Sequence, residues 1–248
     1  MQVVGVDGCP AGWIAVAVDL PEATSLSLVG GNLAGMTSAS WSVAVHPTFA
    51  EMRAVYPDAV AIGVDMPIGL ATEGVRGCER IARGLLGARR SSVFTPPTRH
   101  LLDLIADVPT YQAANRLARA TFGFGLVVQA YNIYPKIREV DAALTPADQV
   151  IVREVHPELS FRAMCGRPCV SSKHTTQGGA ERWAALRLHC AWLRDPDPPR
   201  PPRGATSDDL LDAMAAAWTA HRIATGQAIR IPEEPVYDAR GLRMEMTM

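Results

Sequence analysis

The chain opens with two apolar runs separated by a short polar turn. Val3, Val4 and Val6 form the first run and residues 13–18 form the second, and both are rich in the residues that favour strands. The segment between them, "DGCPAG", consists of turn residues, with glycine and proline bending the chain back. The pattern therefore predicts a strand hairpin, with Asp7 at the end of its first strand.

Apolar periodicity predicts further strands and helices along the rest of the chain. The clearest is the last long helix, because Thr206 or Ser207 can cap its start and Gly226 can end it. The predicted elements are strands at Leu26–Gly30 and Trp41–Val45, a helix with Pro47 near its start and Pro57 beyond its end, a buried strand that begins near residue 58, is ended by Pro67 and carries Asp65 at its C-terminal end, helices at 77–87 and 109–145, a strand at Val150–Val155, a helix from about Ala180, the long helix at 206–226, and a strand and hairpin from Ala228.

This order of elements predicts an α/β fold. A sheet that opens with a hairpin and continues through right-handed crossovers is a mixed sheet, with its first strands antiparallel and later strands parallel, flanked by helices. No internal repeat divides the 248 residues, and the proline-rich segment "DPDPPRPPRG" is too short to mark a domain boundary. We therefore expect a single domain over residues 1–248, with a mostly helical insertion around residues 77–147.

Charge is balanced over the whole chain but unevenly distributed along it. The net charge is −1, so the sequence lacks the overall basic character of many nucleic-acid binders. Residues 1–75 contain seven acidic residues and one arginine, whereas residues 76–100 contain six arginines and only Glu79 as an acid. An acidic sheet beside a basic segment suits a site that holds cations and then a polyanion. A solvated helix face is the alternative explanation of such a charge run.

The sequence predicts a cytoplasmic protein that does not span a membrane. No lysine or arginine precedes Arg53, so the basic start of a signal peptide is missing, and no run approaches 18 apolar residues. The five cysteines are an odd number, which favours reduced thiols. Cys165 and Cys169, followed by His174, have a spacing that fits no standard zinc-ligand pattern.

Four aspartates lie at the ends of predicted elements. Asp7 and Asp65 end strands, and Asp209 and Asp212 lie in the first turns of the long helix, three residues apart on one face. Sites in open α/β sheets form at the carboxyl ends of strands, so these acids can converge there. Such a cluster predicts a site for two divalent metals, Mg²⁺ or Mn²⁺, that hydrolyses a phosphodiester. The alternatives are local: a turn cap at Asp7 or Asp65, and helix-dipole complementation at Asp208 and Asp209.

Five segments of the chain resemble a known family. The motifs "GVDGCPAGW", "GVDMPIGL", "RRSSVFTPPTR", "EVHPELSF" and "DDLLDAMAAAW", in that order, are similar to the domain-of-unknown-function 429 family, described as predicted RNase H-like nucleases. The resemblance spans nearly the whole chain and implies an RNase H-like domain. The first and last motifs also resemble Holliday-junction resolvases, which implies that Asp7, Asp65, and Asp209 with Asp212 bind metal. Resolvases usually carry glutamate where Asp65 stands.

Further residues are candidates for metal or substrate binding. Glu154 and Glu158 flank His156 at a predicted strand end, and either can face the cluster as an additional metal ligand, with Glu154 the first candidate. The alternative for Glu158 is an acid at the start of a helix after Pro157. A basic, hydroxyl-rich segment suits phosphate oxygens, and Lys173 is a similar candidate elsewhere in the chain. The predicted phosphate-binding residues of that segment are Arg89, Arg90, Ser91 and Ser92. Nucleic acid is the expected partner, although no aromatic stripe predicts base stacking.

Three classes of function fit these residues. The first is a metal-dependent nuclease or related phosphodiester hydrolase. The second is a phosphotransferase of the actin-like and sugar-kinase type, which Asp7 with Asp19 would fit, although no second glycine-rich phosphate loop follows residue 150. The third is a catalytically silent RNase H-like binding module whose acids only organise the fold. Metal binding near Asp7 distinguishes the first from the third, and ATP binding identifies the second.

Overall fold

The computed structural model describes residues 1–21 and 39–248, and its centre is a five-stranded mixed sheet. The strand order is β3-β2-β1-β4-β5, in which β1, β2 and β3 are antiparallel while β4 and β5 run parallel to β1. The predicted α/β class, with a mixed sheet whose first strands are antiparallel and whose later strands are parallel, is therefore confirmed. The strand predicted at Leu26–Gly30 lies outside the described residues.

The described part of the chain contains seven strands and eight α-helices. The strands are β1 (Gln2–Cys9), β2 (Gly12–Asp19), β3 (Ser40–His46), β4 (Ala59–Val64), β5 (Val152–Glu154), β6 (Arg230–Tyr237) and β7 (Arg243–Thr247). The helices are α1 (Phe49–Val55), α2 (Gly77–Leu86), α3 (Arg99–Leu104), α4 (Tyr111–Phe122), α5 (Val128–Ala143), α6 (Pro157–Cys165), α7 (Thr176–His189) and α8 (Ser207–Ala224). Short 3₁₀ helices lie at Gly87–Ser92 and Asp148–Val150, and β6 pairs with β7 in a separate hairpin.

Most predicted helices and strands are present, with three differences in their bounds. The predicted helix at 109–145 is two helices, because Gly123 adopts a left-handed conformation that ends α4. Helix α7 begins before Ala180, because the Thr175 hydroxyl accepts a hydrogen bond from the Gly178 amide and so caps an earlier start. Helices α3 and α6 were not predicted, although Thr98 caps α3 and Pro157 occupies the first turn of α6.

The backbone of helix α8 packs directly against the backbone of the sheet. A Cβ atom added to Gly5 in β1 would lie 2.0 Å from the Ala217 nitrogen and 2.1 Å from the Ala213 oxygen. Gly63 in β4 faces the same helix, since its added Cβ would lie 2.7 Å from the Ala216 oxygen. Glycine in the strands and alanine in the helix therefore permit a contact that any larger residue would prevent.

The two faces of the sheet carry different helices. Val4 and Val6 pack with residues of α1, α3, α4 and α5, whereas Val3 packs with residues of α6, α7 and α8. Side chains alternate between the two faces along a strand, so Gly5 and Asp7 share the face covered by α8. None of the described helices is long and apolar enough to cross a membrane. All five cysteines are free thiols.

Candidate metal centre

The structure brings Asp7, Asp65 and Asp212 together at the carboxyl ends of the central strands; we call these residues the aspartate trio. Asp7 is near the end of β1, Asp65 directly follows β4, and Asp212 lies in the second turn of α8. Each contributes a carboxylate oxygen, and these three atoms all lie within 4.8 Å of one another. Strand alternation explains the convergence, because Asp7 lies two residues after Gly5 and Asp65 lies two residues after Gly63, on the face that contacts α8.

Asp7 and Asp212 are buried and Asp65 is partly buried, so the negative charges of the aspartate trio repel one another with little solvent between them. Only 8% of Asp7 and 3% of Asp212 is exposed to solvent. Burial raises the pKa of Asp7 and Asp65 well above the usual value, and repulsion from neighbouring carboxylates raises both further. Burial also raises the pKa of Asp212, although Lys173 acts in the opposite direction. The arrangement is therefore costly unless positive charge is brought to it.

Lys173 supplies positive charge directly to the aspartate trio. Its Nζ atom donates a hydrogen bond of 2.6 Å to Asp212 Oδ2. Burial lowers the pKa of Lys173, but attraction to Asp212, Asp65 and Asp7 outweighs burial and raises that pKa overall. The sequence predicted Lys173 as a phosphate-binding residue, whereas its ammonium contacts a carboxylate in this structure.

Asp209, the fourth predicted aspartate, is not in the aspartate trio. Its Oδ2 accepts a 2.8 Å hydrogen bond from the Thr206 amide, and its own amide donates to Thr206 Oγ1 at 3.2 Å. These reciprocal bonds form a capping box that begins α8. The side chain also borders the cavity described below. Asp209 therefore caps the helix that carries Asp212 into the trio.

Glu154, the predicted additional ligand, lies outside the aspartate trio in a buried ion pair, although it lines the same cavity. Both of its oxygens accept hydrogen bonds from Arg76, at 2.6 and 2.8 Å, and Oε2 also accepts one from the Ile68 amide at 2.6 Å. Burial raises the pKa of Glu154 to about 7, against the opposing effect of Arg76. Glu154 thus fixes the segment that follows Asp65.

Cys78, Glu79 and Glu154 form a second group with close potential ligand atoms. Arg76 already occupies this group, because its guanidinium donates to Glu79 at 2.6 Å as well as to both oxygens of Glu154. Arginine remains protonated in proteins and cannot coordinate a metal. The group is therefore a buried salt-bridge network and not a second metal site.

The aspartate trio opens into a cavity of about 670 Å³. Arg89, Ser91 and Ser92, three of the four residues predicted to bind phosphate, line its wall. Arg90 does not line the cavity, and its side chain is exposed. The 3₁₀ helix at Gly87–Ser92 explains the difference, because consecutive side chains on so short a helix point in different directions.

Sequence reasoning missed a polar group on α5 that lines this cavity. Gln129, Asn132 and Lys136 come from α5, at a spacing that places them on one helix face. Glu158, a candidate from the sequence, also lines the cavity, and so does His156, whose Nε2 lies 3.3 Å from the Ser92 oxygen. The polar stripe on α5 was a usable signal, but nothing in the sequence indicated that α5 lies beside the ends of the strands.

Asp19 lies away from the cavity. It is paired with Gln2, at the opposite end of β1 from Asp7, and accepts a hydrogen bond from the Gln2 side chain at 3.0 Å. Asp7 lies five positions after Gln2 along the strand, a distance of roughly 16 Å. Asp7 and Asp19 therefore do not form the paired site of an actin-like phosphotransferase.

Comparisons with known proteins place this chain in a family. Residues 5–236 match the model of the family described as "Protein of unknown function (DUF429)", so the chain belongs to that family, as its motifs predicted. A solved structure of RuvC from Thermus thermophilus is similar, with 13% sequence identity and a TM-score of 0.34 over 92% of this chain and 98% of that one. No curated protein matches.

Proposed function

We propose that this protein is a divalent-cation-dependent nuclease or related phosphodiester hydrolase, with the aspartate trio as its metal centre. The observation that carries the proposal is the convergence of three carboxylates, two of them buried and one partly buried, with oxygens within 4.8 Å of one another in the lining of a cavity. Isolated buried carboxylates are costly, and a bound cation turns their repulsion into attraction.

The residues of the aspartate trio fit a hard divalent cation. Each donor is a carboxylate oxygen, the ligand type that suits Mg²⁺ and Mn²⁺. When bound, a pair of such ions would activate a water molecule and stabilise the leaving oxygen of a phosphodiester. Asp209 borders the same cavity and adds negative charge beside Asp7.

Other cavity residues would bind and orient the substrate. Arg89 offers a charged group to phosphate oxygens, and the hydroxyls of Ser91 and Ser92 offer neutral donors. Glu154 and Arg76 would act indirectly, since they hold the segment that follows Asp65. Nucleic acid or a smaller phosphodiester is the substrate class that this combination of acids and donors supports.

The test is a cleavage screen with Mg²⁺ and with Mn²⁺, over single-stranded and double-stranded DNA and RNA, junctions and small phosphodiesters. Asp7→Asn should abolish hydrolysis, because it removes a charge from the metal centre while keeping the shape of the side chain. Asp208→Asn is the matched control, since Asp208 lies on the same helix as Asp212 but contacts His174 outside the trio.

A thermal measurement accompanies the screen and separates a nuclease from a silent module. Mn²⁺ should raise the melting temperature of the wild type and of Asp208→Asn by mass action, and Asp7→Asn should lose most of that rise. Equal activity in Asp7→Asn and the wild type would contradict the proposal. Stabilisation by Mn²⁺ with no cleavage of any substrate would instead support a silent binding module.

A further inference from the structure

The side chain of Lys173 contacts the aspartate trio from a backbone that is fixed on both sides. The amides of Val170 and Ser171 each donate to the carboxylate of Glu181 at 3.0 Å, and the Thr175 amide donates to the Ser172 oxygen at 3.0 Å. The Ser172 oxygen also packs tightly on α7, since a Cβ added to Gly178 would lie 1.9 Å from it. The long side chain of Lys173 can therefore approach or leave Asp212 without a change in these backbone contacts.

The contact between Lys173 and Asp212 places a positive charge beside a cluster of negative charges. Three carboxylates within 4.8 Å repel one another, and the Lys173 ammonium is the cation that touches one of them at 2.6 Å. Lys136 is the only other lysine in the sequence. It also lines the cavity, but its Nζ donates to the Gly12 oxygen and lies 4.9 Å from the centre of the Trp13 ring.

We propose that Lys173 is a built-in counter-cation of the aspartate trio and occupies the position of one of two divalent cations. The chain by itself then holds one divalent cation, and a second binds only when Lys173 leaves Asp212. This inference rests on the proposed function, because it concerns the same metal centre. It assigns Lys173 to the control of metal loading rather than to phosphate binding.

The experiment counts bound Mn²⁺ by isothermal titration and by the electron paramagnetic resonance signal of free Mn²⁺. Wild-type protein should bind one ion, and Lys173→Met should bind two, or bind Mn²⁺ more tightly by about tenfold, because a positive charge next to the ion is removed. Lys173→Arg keeps the charge and should bind one ion. Lys136→Met removes the same charge from the same cavity without touching a carboxylate, and should behave as the wild type does.

The outcomes distinguish this inference from the proposed function. If the wild type and Lys173→Met bind the same number of Mn²⁺ ions with the same affinity, and Asp7→Asn loses binding, the inference about Lys173 is overturned while the proposed metal centre stands. No Mn²⁺ binding by any variant would contradict both. If Lys173→Met is unfolded without metal, refolding on addition of Mn²⁺ supports the inference, because the ion then replaces the lysine. Failure to fold at every Mn²⁺ concentration would overturn it.

Discussion

Asp209 and Asp212 show how two identical residues on one helix face take different roles. Both were predicted as metal ligands, yet Asp209 lies three residues after Thr206 and completes a capping box, while Asp212 lies one turn further in and reaches the trio. The sequence "TSDD" contained the signal for the cap, since the first and fourth residues of such a segment bond reciprocally. The contact between Lys173 and Asp212 had no such signal, because 39 residues separate them in the chain.

The pKa shifts at the aspartate trio predict a pH-dependent stability. The pKa of Asp65 is raised above its usual value of 3.8 in the folded protein, so the folded state binds more protons than the unfolded chain. The stability contributed by this group is therefore present at low pH and lost as pH rises through the folded pKa. Asp65→Asn should stabilise the metal-free protein increasingly across the pH range above 3.8, relative to the wild type, as Asp65 loses its proton in the folded state.

Urea unfolding of both proteins across that range, with a metal chelator present, checks this prediction. The wild type must be compared with the variant because three histidines with lowered pKa have the opposite effect: their contribution to stability increases as pH rises. These histidines are His46, His156 and His221. A difference in unfolding free energy that stays constant with pH would contradict the raised pKa of Asp65.

At the level of elements, the sequence predicted the central sheet and the long helix α8, but not how closely the helix packs against the sheet. The strands were predicted because uninterrupted β-branched runs are typical of buried strands. The alternation that places Asp7 and Asp65 on one face follows from strand geometry once the strands are assigned. The close approach of α8 depends on Gly5 meeting the alanine face of the helix, and two segments so distant in the sequence cannot be matched from composition.

The contact between β1 and α8 predicts a large cost for one added methyl group. In Gly5→Ala the new Cβ would collide with backbone atoms of α8 at about 2 Å, so strand and helix must separate. We expect a loss of roughly 1–3 kcal/mol or more in the free energy of unfolding. Gly84→Ala is the matched control, because nothing lies within 4 Å of its added Cβ and its position in α2 favours alanine by about 0.5–1 kcal/mol.

Chemical denaturation of the two variants measures both effects. The separation of β1 from α8 would also move Asp7 away from Asp212, so Gly5→Ala should bind Mn²⁺ more weakly. Equal stability of Gly5→Ala and Gly84→Ala would show that α8 does not contact the sheet as described.

In the whole molecule, acidic and basic residues from separate segments of the chain line the same cavity. The acidic N-terminal segment contributes Asp7 and Asp65 to the base of the cavity, and the basic segment at 76–100 contributes Arg89 to its wall. Not all of that segment is available to a ligand, because Arg76 lines the cavity but is buried against two glutamates, and Arg90 is exposed outside the cavity. The charge distribution along the sequence predicted that basic residues lie near the acidic cluster. It could not predict which of these arginines can reach a ligand in the cavity.

Because Arg89 lines the cavity and Arg90 does not, replacing these two adjacent arginines should affect substrate binding differently. Arg89→Ala should weaken binding of a phosphodiester substrate by about tenfold or more, because a charged hydrogen-bond donor is lost from the cavity wall. It should also flatten the salt dependence of binding, since fewer counterions are released. Arg90→Ala should change neither by a comparable amount. Titrations at two salt concentrations measure both, and equal losses in the two variants would show that the segment acts only through its general charge.

A crystal grown with Mn²⁺ tests most directly whether the aspartate trio is a metal centre. Anomalous scattering should locate an ion in contact with carboxylate oxygens of Asp7, Asp65 and Asp212, and Asp7→Asn crystals grown in the same way should lose that signal. No anomalous signal at the trio in wild-type crystals, with Lys173 still bound to Asp212, would contradict the account.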